Sequence, residues 1–243
     1  MINLKSTNST SKTYALPISS SYWKDAFSEM KNVRALIMCA LLCAVSIILE
    51  KFMIPIIPGV LEVSFSFISI SLCSFLTGPV IAIPCGIIVD VVGALVNGYS
   101  FFFGYTLSAV LGAFIYSLFL YRSRLTFERI AAARFTINLF VNVLLGSVWR
   151  VAMSGGPYGY YVVIAGIKNL LLLPLEVFIM TFLLGALLPS LKKLKLCDPT
   201  LELKVSSKKM IIFTVILIAG TALLILYSLN KSEINSAIKS VFG

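Results

Sequence analysis

Asp90, Arg134, Asn138, Asn142, Lys168, Asn169 and Glu176 stand inside runs that otherwise read as membrane helices. Their combined chemistry suits a flat, polar solute with an acidic tail. Carboxylates accept hydrogen bonds from amino-substituted heterocycles, amides both donate and accept, and an amine attracts an anion. Three of these residues recur every four positions in ARFTINLFVNVLLGSVWR (133–150). At 100° per residue, Arg134, Asn138 and Asn142 drift by only about 40° per step, and Trp149 falls between the two asparagines in angle. The four share one stripe. A central arginine costs about 2.5–3.5 kcal/mol on insertion scales and nearly always faces the bundle interior or a wet cavity, so the stripe is expected to face inward.

The turn SGGPYG (154–159) makes the following apolar run, with Lys168, Asn169 and Glu176, the antiparallel neighbour of this stripe. With Gly155 as apex, Asn142 is level with Lys168, and Arg134 with Glu176. The deeper level offers an arginine and a carboxylate that neutralise one another. The shallower level, about 12 Å from the outer boundary at 1.5 Å per residue, keeps an amine and amides. Asp90 reaches a similar depth. The expected arrangement is an outward-facing pocket lined by Asp90, Asn138, Asn142, Trp149, Lys168 and Asn169, above an Arg134–Glu176 ion pair. Tyr99, Phe101, Phe102, Phe103 and Tyr105 would roof it, stacking on a flat ring. The competing reading is purely structural. Asparagines join membrane helices by hydrogen bonds worth about 0.6–2 kcal/mol each, Lys168 pairs with Asp90, Trp149 is a boundary aromatic, and the phenylalanines meet lipid or core.

The elements that must hold these residues follow from composition. The chain has 243 residues, 59% of them hydrophobic and 12% charged, with a mean hydropathy of +0.99. These values describe an integral membrane protein. At about 20 residues per crossing there is room for six or seven helices and for no soluble domain of any size. Apolar runs and their Pro/Gly breakers place helices at 33–49, 63–76, 80–96, 105–120, 130–149 and 160–188, with a seventh at 210–229. The fold class is therefore all-α, a polytopic bundle of a six-helix core plus a seventh C-terminal helix. Residues 1–32 read as a polar tail and amphipathic lead-in, 33–190 as the membrane domain, 191–209 as a basic linker, 210–229 as the extra helix and 230–243 as a short tail. The tail lacks the early apolar core of a cleavable leader and is expected to be retained. Lysines and arginines cluster before the first helix, at 122–129 and at 192–209, which all fall on one side of an alternating topology. By the positive-inside rule that side, with the N-terminus, is cytoplasmic, and the C-terminus is outside.

Several functions are excluded on the same grounds. A net charge of +10 is what topology and anionic inner-leaflet lipid require, so the expected partner is the bilayer and not nucleic acid. There is no histidine, hence no imidazole base, proton shuttle or metal ligand. The five cysteines indicate neither a disulfide framework nor a zinc site, and no cofactor or metal is expected. No GxxxxGKS/T loop is present, and no serine or cysteine stands with a base across a cavity. The chain is expected to be a transporter subunit and not an enzyme.

The segments GPVIAIPCGIIVDVVGALV, GYTLSAVLGAFIYSLFLYR, ARFTINLFVNVLLGSVW and IKNLLLLPLEV, in this order, resemble the folate-specific substrate-binding (S) components of energy-coupling factor vitamin transporters. The resemblance covers about 33–188. It implies high-affinity capture of folate from outside, and delivery inward with a transmembrane coupling (T) subunit and two cytoplasmic ATPase subunits. Position by position, Asp90, Arg134, Asn138, Asn142, Trp149, Lys168, Asn169, Pro174 and Glu176 match the family's polar positions. Ala40 and Ala44 match its small-residue docking face for the coupling subunit, a spacing that also lets helices approach closely. Pro55, Pro58 and Gly59 match one external gating loop, and the linker from Tyr99 the other. Two positions depart from the pattern. Ala165 stands where a basic residue often precedes the helix 6 lysine, and Arg150 is an additional cation, so that either recognition of the acidic tail is rearranged or the substrate is a related pterin. Two other readings remain: an S component or secondary carrier for another vitamin or small metabolite, and a non-transporting membrane assembly protein.

Overall fold

The computed structural model describes residue 14, residues 19–52, 54–57, 61–63, 65–98 and 100–205, and scattered positions between 208 and 230. Helix α1 (Ser20–Glu29) precedes α2 (Val33–Lys51), and a two-stranded antiparallel hairpin follows, β1 (Ile54–Ile57) and β2 (Leu61–Val63). Next come α3 (Ser66–Thr77), α4 (Pro79–Asn97), α5 (Phe103–Leu120), α6 (Phe127–Thr136), a π-helical segment (Ile137–Leu145), α7 (Gly146–Ser154) and α8 (Tyr158–Lys193). Most of the apolar run at 210–229 lies outside the described residues, as do Pro58, Gly59 and Tyr99.

Local chemistry explains the boundaries. Asn32 caps α2 by accepting from the Ala35 amide, and Thr126 caps α6 by accepting from the Arg129 amide, each satisfying an orphan donor of the first turn. Gly78 joins α3 to α4 at φ +72°, where a Cβ would also lie 2.9 Å from the Tyr121 ring. Both the backbone sign and the crowding demand glycine.

Among the described residues, five helical stretches are long and apolar enough to cross a membrane: α2, α4, α5, the continuous rod Phe127–Ser154, and α8. α3 is shorter than the sequence suggests. Its twelve residues reach about 18 Å, well under a 30 Å hydrocarbon core. The reason lies in the preceding stretch: Val63 pairs with Ile54 in the hairpin and is lost to the helix. That segment, expected to be an irregular loop, holds a run of β-branched residues that suits strands. Pro55 faces Glu62 across the hairpin beside an irregular step in the register.

The main core packs α3, α5, α6, the π segment and α8 through Leu72, Phe75, Tyr116, Leu120, Ile130, Val141, Met180 and Leu184. A second cluster joins α2, α3, α4 and α5. One end of the bundle is stitched together by the short connection 121–126. Arg122 binds Asp25 at 2.7 Å and Glu29 at 3.0 Å, which holds α1 against it. Tyr22 of α1 donates to the Ser117 carbonyl at 3.0 Å, and its burial pushes the phenol well above the ordinary value, so it stays a neutral donor at physiological pH. After α8 the chain returns: the Lys204 amide donates to the Leu125 carbonyl at 3.0 Å. The lead-in helix, the α5–α6 connection and the basic linker therefore share one end.

Candidate functional site

The rod Phe127–Ser154 and its antiparallel neighbour α8 carry a buried ion pair. Arg134, in the last turn of α6, is 6% exposed. Its Nε donates to Glu176 Oε2 at 2.9 Å and its Nη2 to Glu176 Oε1 at 2.5 Å. The third arm, Nη1, donates to the Tyr116 hydroxyl of α5 at 2.8 Å. The guanidinium also lies 4.2 Å from the ring centroid of Phe67 on α3. One side chain thus ties four helices together. The two-pronged geometry is the strongest arrangement for an arginine and a carboxylate, and in hydrocarbon neither charge is tolerable alone.

A ladder of amides climbs from this pair. Asn138 Nδ2 donates to Glu176 Oε2 at 2.7 Å and approaches the Asn169 carbonyl at 3.4 Å. Asn142 Nδ2 donates to Asn138 Oδ1 at 2.9 Å and to Asn169 Oδ1 at 3.3 Å, and Asn169 Nδ2 donates to the Ala165 carbonyl at 2.8 Å. Asn138 is buried and belongs with the ion pair, while Asn142 and Asn169 are half-buried. Lys168 is half-buried on α8 beside Asn169.

Trp149 does not follow the asparagines. Between them the helix runs as i→i+5 turns from Ile137 to Leu145, wider than the α-helix at about 4.4 residues per turn. Asn138 and Asn142 stay on one face, and the phase beyond Leu145 differs from a uniform 100° count. Trp149 Nε1 donates to Ser108 Oγ on α5 at 3.0 Å. Phe102 packs edge-on against the indole at 5.8 Å and against Tyr105 at 5.6 Å. A Cβ at Gly104 would collide with the Phe102 and Trp149 rings, so the glycine makes room for this aromatic group. Asp90 on α4 accepts from Thr106 Oγ1 at 2.6 Å. The first turns of α5 therefore position both the carboxylate and the indole.

Of the aromatic residues expected to roof a pocket, Phe102 and Tyr105 join Trp149. Phe103 is 71% exposed and Phe101 is also exposed; both stand where α5 begins, at the end of the bundle. Ala40 and Ala44 are exposed on α2 among Ile37, Leu41, Val45 and Ile48, on a lateral surface of the bundle. Pro55 lies in β1.

Six residues of these clusters are absent from the sequence-based set: Phe67, Tyr116, Thr106, Ser108, Glu50 and Asn97. Glu50, in the last turn of α2, is half-buried and accepts from Asn97 Nδ2 at 3.4 Å, and Gly93 leaves space for its carboxylate. Its signal was available: a carboxylate one residue inside the end of an apolar run. Phe67 and Tyr116 carry none, since an aromatic in a membrane helix is ordinary, and Thr106 and Ser108 are common small hydroxyls.

No family model matches the chain. Curated relatives do. Over 161 residues it is 31% identical to the folate transporter FolT of Leuconostoc mesenteroides, spanning 63% of this chain and 86% of the relative. The chain belongs to the FolT folate transporter family. A second FolT, from Clostridium novyi, is 26% identical over 151 residues, 62% of this chain and 87% of the relative. Among solved structures, a crystal structure of FolT bound with folic acid aligns with a TM-score of 0.56 at 28% identity, covering 62% of this chain and 92% of that one. This FolT-family chain is accordingly a multi-pass membrane transport protein and not an enzyme. The matched relatives cover under two thirds of it, and the additional length is a feature of this chain.

Proposed function

We propose that the chain is the folate-binding S component of an energy-coupling factor transporter: it captures folate outside and delivers it inward with a coupling subunit and two ATPase subunits. The observation that carries this reading is the match to nearly the whole of a FolT solved with folic acid. The chemistry of the two clusters supports it. Folic acid joins a flat, amino-substituted pterin to a tail ending in carboxylates. Asp90 is the acceptor suited to the pterin amine and ring nitrogens, Asn142 and Asn169 supply paired amide donors and acceptors, and Lys168 offers an ammonium for the tail. Trp149, Phe102 and Tyr105 supply ring faces and edges. Asn138 is spent on Glu176, so its part, like that of the Arg134–Glu176 pair, is to hold the rod and α8 in register beneath the ligand.

The basic end, with α1, the 121–126 connection and the linker, is placed in the cytoplasm by the positive-inside rule, which opens the α2–hairpin and α4–α5 connections outward. The exposed alanines of α2 suit close approach by a helix of the coupling subunit. Calorimetry on purified protein is expected to give about one folate per chain. Absence of folate binding alongside clear binding of another vitamin overturns the substrate. Reconstitution with the coupling and ATPase subunits is expected to make uptake ATP-dependent, and uptake by the chain alone would overturn the partnership.

A further inference from the structure

Four of the five cysteines, distant in sequence, meet in one dry place. Cys39 and Cys43 lie a turn apart on α2, Cys73 on α3 and Cys85 on α4, packed with Ile81, Ala82, Val89 and Ala113. The Sγ atoms of Cys39, Cys73 and Cys85 all lie within 4.8 Å of one another, and the three residues are 1%, 1% and 7% exposed. Thr77 stands beside them: its hydroxyl donates to the Cys73 carbonyl at 2.8 Å, leaving its lone pairs toward Cys39 Sγ at 3.4 Å and Cys73 Sγ at 3.9 Å. Cys43 directs its thiol at the Cys85 carbonyl, 3.9 Å away. The side chains packed around the sulfurs, Ile81, Ala82, Val89 and Ala113, are all apolar.

We propose that Cys39, Cys73 and Cys85 form a three-sulfur site for one soft monovalent metal ion of the Cu(I) class. The geometry is near what such an ion needs. Metal–sulfur bonds of about 2.3 Å place the corners of a planar triangle of sulfurs about 4 Å apart, so closing the present triangle takes side-chain shifts of under about 1 Å. Soft sulfur donors select soft ions. Charge decides for a monovalent one, because an apolar interior tolerates only a neutral adduct. One thiol loses its proton to solvent and forms a metal–thiolate bond, the other two sulfurs donate lone pairs as thiols, and the charges cancel without electron transfer. A divalent zinc ion would need two displaced protons and a fourth donor, whereas the fourth thiol here points to a carbonyl. The site depends on no assignment of the transported solute. It does lie on the inner side of α2, behind Ala40 and Ala44, so a bound ion would pin that helix to α3 and α4.

The test offers anaerobic Cu(I), buffered by a bathocuproine competitor, to the full chain in detergent. One Cu(I) per chain is expected, with an X-ray absorption shell of three sulfurs at about 2.3 Å. Cys39→Ala, Cys73→Ala and Cys85→Ala are each expected to weaken binding at least tenfold, and Cys197→Ala to leave it unchanged. Thermal unfolding of the same samples in detergent reports folding, and Cys→Ser replaces any alanine variant that has lost its cooperative transition. If no variant folds, the wild-type spectrum decides alone: three sulfurs support the site and fewer overturn it. No uptake from the competitor, or loss of uptake in Cys197→Ala, also overturns it.

Discussion

The Asn138 amide nitrogen lies 2.7 Å from Glu176 Oε2, so the carboxylate that closes on Arg134 also fixes the foot of the amide ladder. Asn138 thereby links the ion pair to Asn142 above it. The ion pair, Asn138, Asn142 and Asn169 form one connected unit in which the lower members hold the upper ones in place.

Removing one partner of the pair strands a buried charge, at a cost of about 3–5 kcal/mol. Glu176→Ala and Arg134→Ala are each expected to lower thermal stability in detergent markedly, and the Arg134→Met/Glu176→Leu double variant to lie well above either. Folate affinity destroyed in Glu176→Gln at unchanged stability would mean that the carboxylate touches ligand instead.

Trp149 is one of two tryptophans, which makes it readable by fluorescence. Folate is expected to quench emission in Trp23→Phe and not in Trp149→Phe. Trp149→Ala is expected to weaken binding about tenfold, the size of one lost aromatic contact. Quenching that survives in Trp149→Phe would separate the aromatic cluster from the ligand.

Ala40→Trp and Ala44→Trp add bulk to an exposed face of α2 and touch nothing inside the bundle. Folate binding in detergent is expected to stay within twofold of wild type while uptake with the coupling and ATPase subunits is abolished. Full uptake in both variants would remove this face from the docking surface.

Arg122 holds α1 through two partly exposed ion pairs, each worth about 0.2–1 kcal/mol. Arg122→Ala is expected to raise amide hydrogen exchange across Ser20–Glu29 severalfold, with folate affinity unchanged. Unaltered exchange would show that Tyr22 and its ring contacts with Tyr121 and Trp23 suffice on their own.

How far the chain could be read from its letters differs from element to element. The long helices were legible, because breakers such as Thr77-Gly78-Pro79 and Gly155-Gly156-Pro157 bound their apolar runs. The hairpin was not, since four apolar residues beside prolines read equally as loop. Arg134 and Glu176 meet because depth along an antiparallel pair is simple arithmetic. Trp149 escaped that arithmetic: a uniform 100° per residue carries no information about i→i+5 turns. The cysteine cluster was closed to inspection for another reason, as its members come from three helices whose facing sides only packing defines.

The wide turns between Ile137 and Leu145 have a bearing on how this chain compares with its relatives. A stretch of i→i+5 turns holds a residue more than an α-helix of the same height. Losing one residue there lets the rod tighten while Arg134 below and Trp149 above keep their faces. The same loss within α6 or α7 swings everything beyond it by about 100° and parts Trp149 from Ser108. Single-residue gaps between this chain and other members of its family are therefore expected to collect inside 137–145, where the rod absorbs a change of length without turning its indole away.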